Sequence, residues 1–296
     1  MRQQSYRTEG TGKLFLVPTP IGNLEDMTFR AVNTLRDVDL ILAEDTRHTQ
    51  KLLNHFEIET PQKSFHEHNT QERIPQVIEW LQEGKSIAQV SDAGTPSISD
   101  PGFELVQACV EVGIPVIPLP GANAGITALI ASGLVPQPFY FYGFLPRKKK
   151  EKIAALEQLR THSETVILYE SPFRLKDTFS AIQTVYGEQQ SVVLCRELTK
   201  TYEEFIRGTA EELVALLSEE EVKGECCILI GSKNPDEVTT ALAGALEENT
   251  PDATLSIAEQ VEWFMEHQNL TQKDAIKAVA KHLGLKKQEV YKEVHA

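Results

Sequence analysis

The chain has 296 residues, 41% of them hydrophobic and 24% charged, and a formal net charge of −14. That length exceeds the usual single domain, so two domains and a small appendage are expected. The acidic balance excludes a broad electrostatic grip on nucleic acid, which draws on clustered Lys and Arg, and no apolar stretch approaches the length of a membrane span. A polar start, Met1 to Lys13, without the apolar core of a secretory signal predicts a cytoplasmic protein. Cys109, Cys195, Cys226 and Cys227 form no Cys-x-x-Cys pair and predict reduced core thiols without disulfides or structural zinc.

Apolar β-rich runs alternate with helical periods through the first half. Leu14 to Val17 reads as a strand, Ala31, Leu35 and Val38 as a helix, Leu40 to Ala43 as a strand and Thr46 to His55 as a helix. A short strand near Lys63 to Phe65 and a helix with Ile74, Val77, Ile78 and Leu81 follow. Next come the strand Ile87 to Val90, a helix that Asp100 caps with Pro101 at its first position, the strand Pro115 to Leu119 and a small-residue helix from Asn123 to Ser132. This β-α-β-α pattern predicts a mostly parallel sheet with helices on both faces.

Two prolines in Leu134 to Pro138 mark a boundary. Beyond it, the strands Phe139 to Phe144, Thr165 to Tyr169, Ser191 to Cys195, Glu203 to Arg207 and Cys226 to Ile230 interleave with helices at Ile153–Leu159 and Leu175–Tyr186, predicting a second α/β domain with a mixed sheet. The expected division is a tail at 1–12, α/β domains at 13–135 and 136–233, a linker at 234–252 and a small helical domain at 253–296. Three short helices fill the last of these, with Gly284 as the turn of a helix-turn-helix-like unit. Two basic runs stand out: Arg147 to Lys150 with Lys152, and Thr271 to His295, whose six lysines face three acidic residues.

The chemistry gathers at strand ends. Gly84-Lys85-Ser86 mimics the end of a P-loop but lies between a helix and a strand, the wrong order for cradling phosphate. The first strand runs into Val17-Pro18-Thr19-Pro20-Ile21-Gly22-Asn23, which carries no dinucleotide fingerprint. Small-residue turns recur instead at Pro18 to Asn23, Ser91 to Gly102, Pro120 to Gly125, Tyr169 to Pro172 and Gly208 to Ala210. Backbone groups and small side chains at such turns suit a flat, hydrogen-bonding ligand such as an adenine nucleoside, held in a cleft between the domains. Glu44-Asp45-Thr46-Arg47, Glu170 with Arg174, and Arg196 to Lys200 add polar groups at the same ends. His66 and His68 flank Glu67 with a metal-like spacing, but no further Cys or His cluster joins them, and no metal is expected.

Together the runs Val17 to Asp26, Ala43 to Arg47, Phe65 to Asn69, Ser91 to Gly102, Pro120 to Asn123, Tyr169 to Pro172, Arg196 to Lys200, Arg207-Gly208 and Gly224-Glu225 resemble the tetrapyrrole methylase-like superfamily of S-adenosylmethionine-dependent methyltransferases. Within it they are similar to the branch that methylates the ribose 2′-hydroxyl of a cytidine, cytidine-1402, in the 16S rRNA of the small ribosomal subunit. Ala124 departs mildly from the pattern, where proline is more usual. The resemblance implies an α/β fold of two domains with the S-adenosylmethionine cleft between them. It implies cofactor contacts at Pro18, Gly94, Thr95, Pro96, Ala122, Asn123, Ala124, Tyr169, Glu170, Gly208 and Thr209. On the RNA side, polarity and location select Asp26, Arg47, Asp92, Arg196 and Lys200, with Lys273 and Lys277 on the tail. Glu44 and Asp45 are the candidates to take or orient the hydroxyl proton. A homodimer is the expected assembly. Two other readings stay open: a small-molecule tetrapyrrole methyltransferase on the same fold, and a non-enzymatic DNA-binding ligand sensor that uses the terminal helices.

Overall fold

The structure, a computed structural model, describes residues 3, 10–232, 251, 255–267 and 270–294. It separates into two units, Met1–Lys233 and Asn234–Ala296. The expected linker falls outside the described residues apart from Pro251.

The first unit holds two five-stranded sheets. In the first, β1 (Leu14–Val17), β2 (Leu40–Ala43), β3 (Gln62–Ser64), β4 (Ile87–Val90) and β5 (Val116–Pro118) lie in the order β3-β2-β4-β1-β5, all parallel. β2 and β4 are buried at every position, as an apolar run in a sheet covered on both faces must be. Alternate residues therefore serve opposite layers. Val17, Ile41 and Val90 pack under α1 (Phe29–Asp37) and α2 (Thr46–His55) with Ala31, Leu35 and Leu53. Leu14, Leu42 and Ile87 pack under α3 (Thr70–Gln82) and α4 (Phe103–Glu111) with Val77, Leu81, Leu105 and Cys109. Each such aliphatic side chain contributes about 1.5–3 kcal/mol on burial.

The second sheet comprises β6 (Phe139–Phe144), β7 (Thr165–Glu170), β8 (Ser191–Arg196), β9 (Glu204–Thr209) and β10 (Cys226–Ile230) in the order β6-β7-β10-β8-β9. β6 and β7 are parallel, β10 runs antiparallel to both β7 and β8, and β9 antiparallel to β8. The edge where β6, β7 and β8 end is thus the edge where β9 and β10 begin. One face is covered by α6 (Lys149–Leu159), α7 (Leu175–Tyr186) and α8 (Ala210–Glu219). The other packs on α5 (Ala124–Ser132), whose Ala128 and Leu129 meet Ile167, Val193, Cys195 and Leu229. Gly125 permits this approach, since a β-carbon there would sit 3.3 Å from Ile167 and Phe141.

One helix start differs from expectation. α4 begins at Phe103, not after an Asp100 cap, because Gly102 takes φ 142° and Ser97 and Ser99 take left-handed φ of 69° and 61°. The buried Gln89 side chain, donating to the Pro101 carbonyl at 2.7 Å, ties down this non-helical backbone. Asp100 is left free of any capping role.

In the second unit, α9 (Ile257–His267), α10 (Gln272–Leu283) and α11 (Lys287–Val294) bury Val261, Phe264, Ile276, Val279 and Val290 together. Thr271 caps α10, and Gly284 at φ 67° ends it in the left-handed conformation that glycine adopts without strain.

Candidate active site

Three loops at the carboxyl edge of the first sheet are laced together by short-range polar contacts. Thr19 and Gly94 exchange backbone hydrogen bonds of 2.9 and 3.0 Å, and the Ser91 hydroxyl donates to the Gly94 carbonyl at 2.9 Å. The Thr95 hydroxyl donates to the Ala122 carbonyl at 2.9 Å, joining the second loop to the third. Gly121 lies so close to Pro18 that a β-carbon would overlap the proline ring. Gly94 itself takes φ 86°, a conformation in which a β-carbon is strained. Asn123 then caps α5, its side-chain oxygen accepting from Ile126 N at 3.0 Å.

These loops form one wall of a cavity of about 470 Å³. Gly94, Thr95, Asn123 and Ala124 line it directly, whereas Pro18 and Ala122 support the turns and Pro96 is not among its lining residues. The facing wall comes from the second sheet: Tyr169 and Glu170 at the end of β7, and Gly224, Glu225, Cys226 and Cys227 where β10 begins. Ile21, Ile98, Phe144 and Leu198 supply apolar surface. The Tyr169 hydroxyl accepts from Gly125 N at 3.1 Å, and burial pushes its phenol up to about 12, so it stays neutral. The Glu170 carboxylate is internally satisfied by Arg174 (3.2 Å), the Thr178 hydroxyl (2.6 Å) and Ser171 N (2.8 Å). It faces the cavity as the head of a buried network that continues through Thr178 to Lys152 Nζ.

Three carboxylates, Glu44, Asp92 and Asp100, line the same cavity. Burial, then the charges of Asp92 and Glu67, raise the Glu44 carboxyl above its ordinary range. Burial, then Glu44 and Asp92, push Asp100 up to about 7. Asp45 behaves oppositely. It caps α2, accepting from Arg47 N at 2.8 Å, and a bidentate contact with the Arg47 guanidinium holds it well below the usual carboxylate range. Its backbone N–H donates to Asp92 Oδ1 at 3.1 Å, which fixes Asp92 in place. The two acidic neighbours are therefore divided between a basic carboxylate in the cavity and a cap outside it.

Several residues selected from the sequence have other duties. Gly208 and Thr209 pair with Val192 and Ser191, at the edge of the second sheet remote from the cavity, where Thr209 builds the capping box of α8 with Glu212. Arg196 spends its guanidinium on the Lys223 and Tyr202 carbonyls and on Glu204. Lys200 bonds Glu197 at 2.9 Å and Glu225 at 2.8 Å. Asp26 ends an exposed short turn and lines neither cavity of this region. Arg47, 89% exposed, pairs with Asp45. Lys152 leaves the basic run of α6 altogether, being buried against Thr178. Lys273 and Lys277 sit on the exposed face of α10, Lys277 paired with Asp274 at 2.8 Å. His66 and His68 join no group of metal-ligating side chains among the described residues. Asp100, the start of β10 and the apolar lining of Ile21, Ile98, Phe144 and Leu198 were not selected from the sequence.

A second cavity of about 360 Å³ adjoins the first, and Ile21, Asp92, Ala93 and Glu225 line both. Between the halves, Gly22 fits against Thr199 and Lys200 where a β-carbon would overlap both side chains, and Asn23 N donates to Thr199 Oγ1 at 3.1 Å.

Residues 13–214 match the family model described as Tetrapyrrole (Corrin/Porphyrin) Methylases. The chain is 51% identical over 295 residues to a Bacillus subtilis (strain 168) protein named ribosomal RNA small subunit methyltransferase I, covering 99% of this chain and 98% of that protein. Among solved structures, diphthine synthase aligns with a TM-score of 0.60 at 12% identity, covering 75% of this chain and 90% of its own. Uroporphyrin-III C-methyltransferase from Thermus thermophilus, complexed with S-adenosyl homocysteine, aligns at 0.54 and 16% identity, covering 77% and 100%. At such identities the two structures share the fold.

Proposed function

The chain belongs to the tetrapyrrole methylase family, and from that premise we infer that it transfers the methyl group of S-adenosylmethionine to the 2′-hydroxyl of cytidine-1402 in the 16S rRNA of the small ribosomal subunit. The observation that carries this reading is the 470 Å³ cavity between the two sheets. Its carboxylates Glu44, Asp92 and Asp100 complement a sulfonium cation, and its turns at Gly94 and Asn123 with apolar Ile21 and Phe144 suit a nucleoside. Near-complete alignment to a protein named for ribosomal RNA methylation favours RNA over a small macrocycle, since a cobalt-precorrin-4 methyltransferase and a uroporphyrin-III C-methyltransferase of this fold align at only 20% and 16% identity. It also favours an enzyme over a DNA-binding sensor.

S-adenosylmethionine, when bound, supplies an electrophilic methyl on sulfur. The chain's own residues have two tasks. Gly94, Thr95, Asn123 and Ala124 on one wall and Tyr169, Cys226 and Cys227 on the other fix the position of the donor, because alignment of the attacking oxygen with carbon and sulfur carries much of the acceleration. Glu44 accepts the hydroxyl proton as the new O–C bond forms and the methyl–sulfur bond breaks, its electron pair leaving with sulfur as the neutral thioether; the raised basicity of Glu44 favours this role, for which Asp45, committed to Arg47, is unsuited. Action on the assembled subunit and the homodimer expected from the sequence belong to the same proposal; sedimentation of the full chain checks the latter.

Mass mapping of ribose methylation in small-subunit RNA, with and without the protein, tests the substrate. Absence of any change at cytidine-1402 overturns the reading. Glu44→Gln is expected to slow single-turnover transfer about 10²-fold or more, as loss of a general base does. Asp45→Asn keeps a capping side chain and is expected to change the rate by no more than about threefold. Equal rates in both variants would remove Glu44 from its role.

A further inference from the structure

Within the first unit, the cations chosen from the sequence to hold RNA are occupied: Arg47 by Asp45, Arg196 by Glu204 and two carbonyls, Lys200 by Glu197 and Glu225. The second cavity offers further polar groups. His48 and Lys51, one turn apart on α2, are exposed at its lining, and among the described residues neither side chain has an ion-pair or hydrogen-bond partner. Between them Thr49, 2% exposed, belongs to the same lining, and its buried hydroxyl has no hydrogen-bond partner among the described residues. A buried hydroxyl without a partner is costly unless a ligand completes it. Leu24, 40% exposed, adds an apolar surface to the same lining.

Resting on the function proposed above, we propose that this 360 Å³ cavity receives the acceptor nucleotide, unstacked from the RNA, with Lys51 and His48 gripping the phosphates that flank its ribose. The volume is that of a single small-molecule site, which excludes a base-paired segment and calls for an extruded nucleotide. Ile21, Asp92, Ala93 and Glu225 form the partition with the donor cavity, so a ribose seated here meets the donor at Asp92, the carboxylate held by Asp45 N. Lys51 offers a point charge and His48 a ring N–H to backbone phosphates, while Thr49 offers a hydrogen bond and Leu24 a surface for the base. An acidic protein thereby contacts RNA without a broad basic face.

The test uses the full chain, S-adenosylmethionine and small ribosomal subunits lacking the methyl group. Lys51→Ala and His48→Ala are each expected to raise KM for the subunit about tenfold, with kcat within about twofold and S-adenosylmethionine affinity unchanged. Lys51→Glu is expected to raise KM further and Lys51→Arg to restore it. The slope of log affinity for the subunit against log salt should fall by about 0.7–0.9 on loss of one phosphate contact, which a merely structural lysine would not alter. Lys176→Ala, exposed on α7, serves as the control and should leave KM and slope as they are. Wild-type KM and salt slope in Lys51→Ala, Lys51→Glu and His48→Ala would overturn the assignment. Absence of transfer by the wild-type protein would instead overturn the proposed function.

Discussion

In the first sheet all five strands run one way, so every strand-to-helix loop emerges at a single edge and the site loops after β1, β2, β4 and β5 converge there. In the second, β9 and β10 run against β6, β7 and β8, so the cavity edge is built from the ends of some strands and the beginnings of others. Where strands are parallel, the rule that ligands sit beyond their carboxyl ends points to the edge at which the cavity lies. Where they are mixed, the same rule sends half of the residues to the wrong edge. Gly208 and Thr209 end β9 and lie remote from the cavity; Gly224 to Cys227 open β10 and line it.

Substitutions at these two places separate the two rules. Gly224 takes φ 96°, and a β-carbon there would overlap the Glu197 side chain that holds Lys200 and the Glu225 N–H. Gly224→Ala therefore combines left-handed strain with overpacking against the donor wall, and a loss of about 1.4 kcal/mol at that wall weakens S-adenosylmethionine binding about tenfold by calorimetry. Unchanged affinity would mean that the start of β10 does not form the donor wall. Thr209→Ala should act only on stability. It removes the Glu212 N to Thr209 Oγ1 bond of 3.2 Å but keeps the backbone N–H that donates to Glu212, costing about 1 kcal/mol in denaturant unfolding while leaving donor affinity intact. A fall in donor affinity here would return β9 to the site.

Periodicity made most elements legible, because an apolar run such as Leu40 to Ala43 or a spacing such as Val77–Leu81 reports burial directly. The loops before α5 and after β4 were legible because their small residues have no other use at a strand end. Strand direction was not, since Glu204 to Thr209 and Cys226 to Ile230 read the same whichever way they are paired. Nor were the partners of polar side chains: Lys152 looked like part of a basic run, but the fold closes it against Thr178, while Lys51 and His48 drew no notice because only the folded cavity sets them apart from other exposed polar side chains.

Asp100 is the exception within the well-read first half, and it supplies the smallest expected effect. An Asp-Pro-Gly run before an apolar period signals a capped helix, yet positive φ at Ser97, Ser99 and Gly102 and the Gln89 tie to Pro101 delay α4 and leave the carboxyl in the cavity. Its pKa, raised from 3.8 to about 7, means that the folded protein holds this proton more tightly than the unfolded chain. The stability it contributes is complete below pH about 4 and is lost as pH rises through about 7. Asp100→Asn should therefore stabilise the ligand-free protein at pH 8 by roughly 1 kcal/mol after solvent screening, a rise of about 2–4 °C in Tm, and change little at pH 4. A cationic donor favours the ionised carboxyl, so its affinity should rise about threefold from pH 6 to pH 8 in the wild type and less in Asp100→Asn, with S-adenosylhomocysteine, which lacks the sulfonium charge, showing a weaker trend. Identical pH profiles in the two proteins would return Asp100 to a purely structural place at the head of α4.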